Sequence, residues 1–202
     1  KQTRPCALFA TLLHELNLNT EAHTSPQVLK WTAEAIWQSV VSDWPGFSIE
    51  ILPEIDSSNT ELMRRARQGC CDPVLLIAEQ QTAGKGRLGR AWMGQRGHAL
   101  TFSLGLPYQP QNWSGLSLAV GLSLAESLSP DIQLKWPNDL WHQQRKLGGI
   151  LIEAASQGGQ SYAVIGVGLN VQLPPRNDLR TPPAAIAEFW EGASAPLVLE
   201  RV

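Results

Sequence analysis

The chain has 202 residues, 43% of them hydrophobic, enough to bury a core of its own, and a formal net charge of -2 at pH 7. That balance excludes a global basic field that would recruit nucleic acid, so any anion must be held by a local cluster of cations. Three cysteines without framework spacing and four histidines without ligand spacing exclude a disulfide scaffold and give no structural metal, and they favour a reducing compartment, the cytoplasm.

In chain order, KQTRPCALFATLL begins with two basic residues and a short apolar run. His14 and Glu15 follow at once and no small-residue cleavage site appears, so a buried strand or helix is expected there rather than a signal peptide. No apolar run approaches the ~20 residues that cross a bilayer, and no membrane contact is expected. Ser25-Pro26 ahead of Val28, Leu29, Ala35, Ile36 and Val40 predicts a helix with proline in its first turn, ended by Trp44-Pro45-Gly46. Phe47, Ile49 and Ile51 then alternate as a strand. SSNTELMRRARQG predicts a second helix, with Ser58 and Glu61 at capping-box spacing and Gly69 as its stop.

VLLIAE reads as a buried strand and HALTFSLGL as a half-buried one, and a long buried helix fits between Trp113 and Leu128. IQLKW, LWH, GGILIEA and SYAVIGVGLNV, separated by turn signals, predict an antiparallel meander. Alternating elements followed by a run of strands imply an α+β fold, a mixed and largely antiparallel sheet packed with helices. Beyond Pro174 only AAIAEFW reads as a short helix, and the chain is expected simply to stop at LERV. The division expected is a helical arm over 1–46, a catalytic domain over 47–175 and a tail over 176–202.

The stretch EQQTAGKGRLGRAW carries chemistry. Gly84, Gly86 and Gly89 satisfy G-x-G-x-x-G, but Gly94 and Gly97 follow where a dinucleotide-binding helix would have to run, and no acidic residue stands about 20 positions on. The P-loop order G-x-x-x-x-G-K is absent as well. What remains is a pliable backbone bearing Lys85, Arg87 and Arg90, able to bring amides and cations to phosphates, or else a solvated basic loop. A second constellation, IQLKWPNDLWHQQRKLGGILIE, sets Lys135 at a strand end, Asn138 and Asp139 in a turn, and Lys146 just before Gly148-Gly149.

On these residues the chain resembles the biotin protein ligases. AGKGRLGRAW is similar to the family's G-R-G-R-x-G-R-x-W loop, KWPNDL and RKLGGILIE to its second signature, IGVGLNV to its third, and DSSNTE to the segment that opens its ligand pocket. The resemblance spans roughly residues 47 to 173. It implies the biotin/lipoate ligase catalytic fold, which is class II synthetase-like. It also implies condensation of biotin with ATP to biotinyl-5'-adenylate, then transfer of biotin to a lysine of a biotin carboxyl carrier protein. Two anions, a carboxylate and an α-phosphate, must be brought together, and this explains the cations.

The resemblance assigns Lys146 to bridging the carboxylate and α-phosphate, and Arg87 and Arg90 to holding phosphate oxygens while the loop closes. Mg2+ accompanies ATP, with Asp139 and Asn170 as helpers; Asp139 either assists deprotonation of the acceptor lysine or is a structural turn residue. Ser57, Ser58, Asn59, Gln81, Gly84, Lys85, Gly86, Arg87, Lys146 and Gly149 are implied for biotin. Lys85, Arg87, Arg90, Trp92, Asn138, Lys146, Gly168 and Asn170 are implied for ATP. Ser57 or Ser58 could instead merely cap a helix, Trp92 could be core, and Gly148, Gly149, Gly166 and Gly168 could serve strand packing.

Two departures stand out. Lys85 replaces the usual first arginine of the loop, keeping charge but losing the bidentate fork. Little of the family's usual small C-terminal barrel fits after residue 175. Residues 1–46 offer one convincing helix, so a DNA-binding repressor role is not expected; the resemblance allows a homodimer through sheet edges, and the sequence does not give the oligomeric state. The rival readings are a lipoate or other acyl ligase and a non-catalytic biotin or nucleotide sensor.

Overall fold

The computed structural model describes residues 29–157, 159–174 and 181–202. The expected element in the opening apolar run, the Ser25-Pro26 cap and Gly158, in one of the expected turns, lie outside the described residues. Seven strands form one sheet: β1 Ser48–Leu52, β2 Val74–Ala78, β3 Ala99–Pro107, β4 Ile132–Lys135, β5 Asp139–His142, β6 Arg145–Gln157 and β7 Gln160–Asn170. Their order is β1-β2-β3-β7-β6-β5-β4, with β1 and β2 parallel and every other pair antiparallel. This is the mixed α+β sheet expected from the sequence. The helices are α1 Ala33–Val40, α2 Ser58–Arg67, α3 Leu116–Leu128 and α4 Ala195–Arg201.

The two sheet faces hold different cores. On one, Leu75, Ile77, Leu100, Phe102, Val167 and Leu169 pack with Leu124 and Leu128 of α3 and with Val198 and Leu199 of α4. On the other, α2 presents Leu62, Met63 and Ala66 to Val74, Leu76, Tyr162 and Val164. Helix α2 is otherwise polar, so this single apolar stripe fixes it; full burial of a side chain such as Leu62 contributes about 1.5–3 kcal/mol. Its position matters because its N-terminus forms one wall of the functional cleft.

Several expectations change. Helix α1 begins at Ala33, after residues 29–32, which form no regular element. The cap of α2 is Ser57, whose hydroxyl accepts from the Thr60 amide at 3.4 Å, and Ser58 is already helical. Helix α3 starts at Leu116, not Trp113, and β3 is buried on both faces over Ala99–Ser103 rather than half-buried.

AAIAEFW supplies only a 3-10 turn, Ile186–Glu188. The segment read as a tail contains α4 and belongs, over 181–202, to the main core, with Ala184, Ile186, Ala195 and Val198 at most 1% exposed. Residues of the expected arm also dock on it: Ile36, Val40 and Trp44 pack against the core, and Trp37 Nε1 donates to the Phe47 carbonyl.

One irregularity aims the chemistry. Trp141 lies opposite Lys146 while Leu140 lies opposite Gly148, so β6 carries one extra residue, Leu147, against β5. In a regular strand Lys146 and Ile150 would share a face. The bulge breaks that parity, so Leu147 and Ile150 both enter the core, at 0% and 2% exposure, while Lys146 and Gly149 both line the cleft.

Candidate active site

A cleft of about 370 Å3 opens on the α2 face of the sheet. Its walls are the N-terminus of α2, the glycine loop, the β4–β5 turn, the bulged start of β6 and the middle of β7. Among the described residues five cations line it, Lys85, Arg87, Arg90, Lys135 and Lys146, against one carboxylate, Asp139. A chain of net charge -2 has concentrated positive charge in one place, as an anionic ligand requires.

At one end lies a buried polar nest. Ser57, Ser58 and Asn59 are 2%, 3% and 4% exposed, and Ser103 of β3 is 0% exposed. Gln81 Oε1 accepts from the Ser58 amide at 2.7 Å and lies 3.2 Å from the Ser58 hydroxyl. Ser103 Oγ is 2.6 Å from Asn59 Oδ1 and 2.7 Å from Ser58 Oγ. An amide oxygen has no proton to give, so Ser103 donates to Asn59, leaving Ser58 to donate to Ser103. Asn59 Nδ2 donates to Glu153 Oε2 at 3.0 Å and to the Leu151 carbonyl at 3.2 Å.

With Gln81 Oε1 engaged, its Nε2 has no hydrogen-bond partner among the described residues. Ser103, Thr101 and Glu153 were missed in the sequence. The signal for the first two was present, since Thr101 and Ser103 interrupt an otherwise apolar strand on the face opposite Leu100, Phe102 and Leu104.

Glycines of β7 seat the side chains of this wall. A Cβ on Gly166 would lie 2.0 Å from Asn59 Oδ1, and one on Gly168 would lie 2.4 Å from the Trp92 ring. Trp92 is held there by an Nε1–H bond to Thr101 Oγ1 at 3.3 Å, and its ring lines the cleft. Gly148 serves packing, since its Cβ would meet the Gly168 carbonyl at 2.5 Å, whereas a Cβ on Gly149 would stand 3.5 Å from Asp139 Oδ1 and 3.6 Å from Lys146 Nζ.

The glycine loop is a short finger. Trp92 N–H donates to the Gly84 carbonyl at 2.9 Å and Gly86 N–H to the Arg90 carbonyl at 2.7 Å; Arg87–Gly89 make a 3-10 turn at the tip. No helix follows, in keeping with the rejected dinucleotide motif. Gly84 is buried and does not line the cleft; it lets the base of the finger close. The side chains of Lys85, Arg87 and Arg90 are exposed and have no hydrogen-bond or ion-pair partner among the described residues.

Across the cleft, Lys146 Nζ donates to Asp139 Oδ1 at 2.7 Å, the two side chains being 32% and 25% exposed. A pair so open to water contributes about 0–1 kcal/mol to stability, so its presence at the bulge serves placement more than folding. Lys146 is clamped by its backbone: its N–H donates to the Pro182 carbonyl, and its carbonyl accepts from Ala184 N–H, each at 2.8 Å.

Asn170 is not on the cleft wall. It is 9% exposed and its Nδ2 donates to the carbonyls of Ala184 at 3.0 Å and Lys146 at 3.3 Å, so it fixes the strand that carries Lys146. Asn138 lines the cleft, but its Nδ2 is engaged by the Ile150 carbonyl at 2.8 Å and braces the turn.

The fold and cleft define an α+β protein in which a mixed sheet presents a buried polar nest beside a cationic, loop-covered anion site. The chain belongs to the biotin/lipoate A/B protein ligase family, whose model matches residues 52–170. It is 38% identical over 159 residues to the biotin--[acetyl-CoA-carboxylase] ligase of Mycobacterium tuberculosis, covering 73% of this chain and 57% of that protein. It is also 38% identical over 143 residues to the bifunctional ligase/repressor BirA of Escherichia coli, covering 67% of this chain and 44% of BirA. The chain thus spans about half the length of these relatives. The biotin protein ligase of Aquifex aeolicus in complex with biotin and ATP superposes with a TM-score of 0.62 at 30% identity, covering 76% of this chain and 66% of that one.

Proposed function

We propose that the chain is an ATP-dependent biotin protein ligase. The observation that carries this is the juxtaposition, in one cleft, of the Ser58–Asn59–Gln81–Ser103 nest with the Lys146–Asp139 pair and three unpartnered loop cations. The nest suits a small polar head such as a ureido ring, and the cations suit a carboxylate meeting a triphosphate.

In the first step a biotin carboxylate oxygen bonds to the α-phosphorus and the bond to pyrophosphate breaks, with pyrophosphate taking the electron pair. Lys146 stabilises the charge gathering between carboxylate and phosphate. Arg87, Arg90 and Lys85 hold phosphate oxygens from the finger, and Trp92 offers its face to the base. In the second step the amine of an acceptor lysine on a biotin carboxyl carrier protein attacks the acyl carbon and AMP departs. Among the described residues Asp139 is the carboxylate on the cleft able to receive the amine proton.

Mg2+ accompanying ATP would supply charge neutralisation of the triphosphate, and among the described residues Asp139 is the cleft carboxylate that would hold it. We place the reaction in the cytoplasm and propose a homodimer. The reading concerns ligation and assigns no DNA contact; among the described residues no helix is long and apolar enough to cross a membrane.

The test is pyrophosphate release from ATP with biotin, with lipoate and with neither. Release that depends on biotin supports the reading. Release with lipoate alone would assign the chain to the lipoate branch, and none with either would make it a binding protein.

A further inference from the structure

Lys135 lies at the end of β4 on the cleft wall, directly across from Asp139 in register. Opposite charges on facing positions of an antiparallel pair ordinarily engage each other. Here they do not. Lys146, reaching from β6 on the other side of β5, holds Asp139 Oδ1 at 2.7 Å, and Lys135 Nζ instead lies 3.7 Å from the centroid of the Trp141 ring. Trp141 in turn faces Lys146 in register, so the two lysines flank β5 and each contacts the side chain in register with the other.

Lys135 therefore stands on the cleft wall with no ion-pair partner among the described residues. A cation resting on an indole face is held more weakly than one in a charge-assisted hydrogen bond to phosphate, so the contact is a resting place that a phosphate can empty. Lys146 and Lys135 stand two strand spacings apart and two residues out of step along β5, roughly 12 Å between their backbones. Two long side chains on that spacing can close on opposite ends of a polyphosphate.

We propose that Lys135 holds the departing pyrophosphate in adenylate formation, waiting on Trp141 until the triphosphate arrives. This rests on the ligase reading for the reaction, while the predicted affinity for pyrophosphate does not. Lys135 neutralises charge as it builds on the leaving oxygens, and Lys146 serves the bond being made. The assignment predicts a division between the two half-reactions, because pyrophosphate takes part only in the first.

The experiment compares the protein with Lys135→Ala and Lys135→Arg, Lys135 being exposed and outside the core. Calorimetric titration with inorganic pyrophosphate and Mg2+ should show binding about 10-fold weaker in Lys135→Ala, most of it regained in Lys135→Arg. KM for ATP should rise by a similar factor, whereas biotin transfer from preformed biotinyl-5'-adenylate should be insensitive to the change. Wild-type protein that does not bind pyrophosphate, unchanged affinity in Lys135→Ala, or equal loss in both half-reactions would overturn the proposal. If pyrophosphate binds through Lys135 but no adenylate forms from biotin and ATP, the ligase reading fails and the role in adenylate formation with it, while the pyrophosphate site itself stands.

Discussion

Gly166→Ala is a test of how the polar nest is built. The added methyl would lie 2.0 Å from Asn59 Oδ1, a full 1 Å inside the 3.0 Å below which such contacts essentially never occur. Asn59 cannot withdraw that far and keep its bonds to Ser103 at 2.6 Å, Glu153 at 3.0 Å and the Leu151 carbonyl at 3.2 Å. A buried polar group left without its partner costs about 1–3 kcal/mol, so we expect Gly166→Ala to lower stability by roughly 2–4 kcal/mol. That is a large part of the ~5–15 kcal/mol of a typical domain. Urea denaturation measures it.

Asn59→Ala removes the obstructing oxygen. In that background Gly166→Ala should cost little, with a coupling energy of about 1.5 kcal/mol or more across the double-mutant cycle. Wild-type stability for Gly166→Ala, or strict additivity of the two changes, would refute the reasoning.

Lys146→Ala should slow adenylate formation by roughly 100-fold or more, the scale of removing a preorganised electrostatic group, measured in single-turnover quench. Lys85→Arg restores the fork, and the adenylate should dissociate about fivefold more slowly in a chase, corresponding to about 1 kcal/mol. Glu188 titrates below its ordinary value of 4.5: burial opposes this, but the Ala185 N–H and Arg145 outweigh it. A depressed carboxylate adds stability that is present above its ordinary value and lost as pH falls through its folded one. Glu188→Gln should therefore be less stable than wild type at pH 7, with the gap in melting temperature closing as the pH is lowered below 4.5.

The strands were legible because their residues alternate or run apolar between turn residues, and the loop and KWPND motifs because charged and glycine residues cluster there without an apolar pattern. Helix α4 was not. It has seven residues, begins Ala195-Pro196 and is apolar on most sides, so nothing separates it from a buried extended segment. The contribution of Glu153 was hidden for a different reason: a polar residue in a strand ordinarily marks the solvent face, and only the docking of α2 turns that face inward. The aim of Lys146 depends on a one-residue bulge that pairing with β5 creates. The separation of Asn170, which braces the strand, from the residues that line the cleft likewise depends on where residues 182–184 cross Lys146.

The most direct measurement is mass spectrometry of the small molecule retained by the purified protein after one turnover with biotin, ATP and Mg2+. Biotinyl-5'-adenylate should be found on the wild-type chain in near-stoichiometric amount and be strongly depleted in Lys146→Ala. Recovery of unchanged biotin and ATP, or of ADP without any acyl-adenylate, would contradict the assignment of this cleft to adenylate formation.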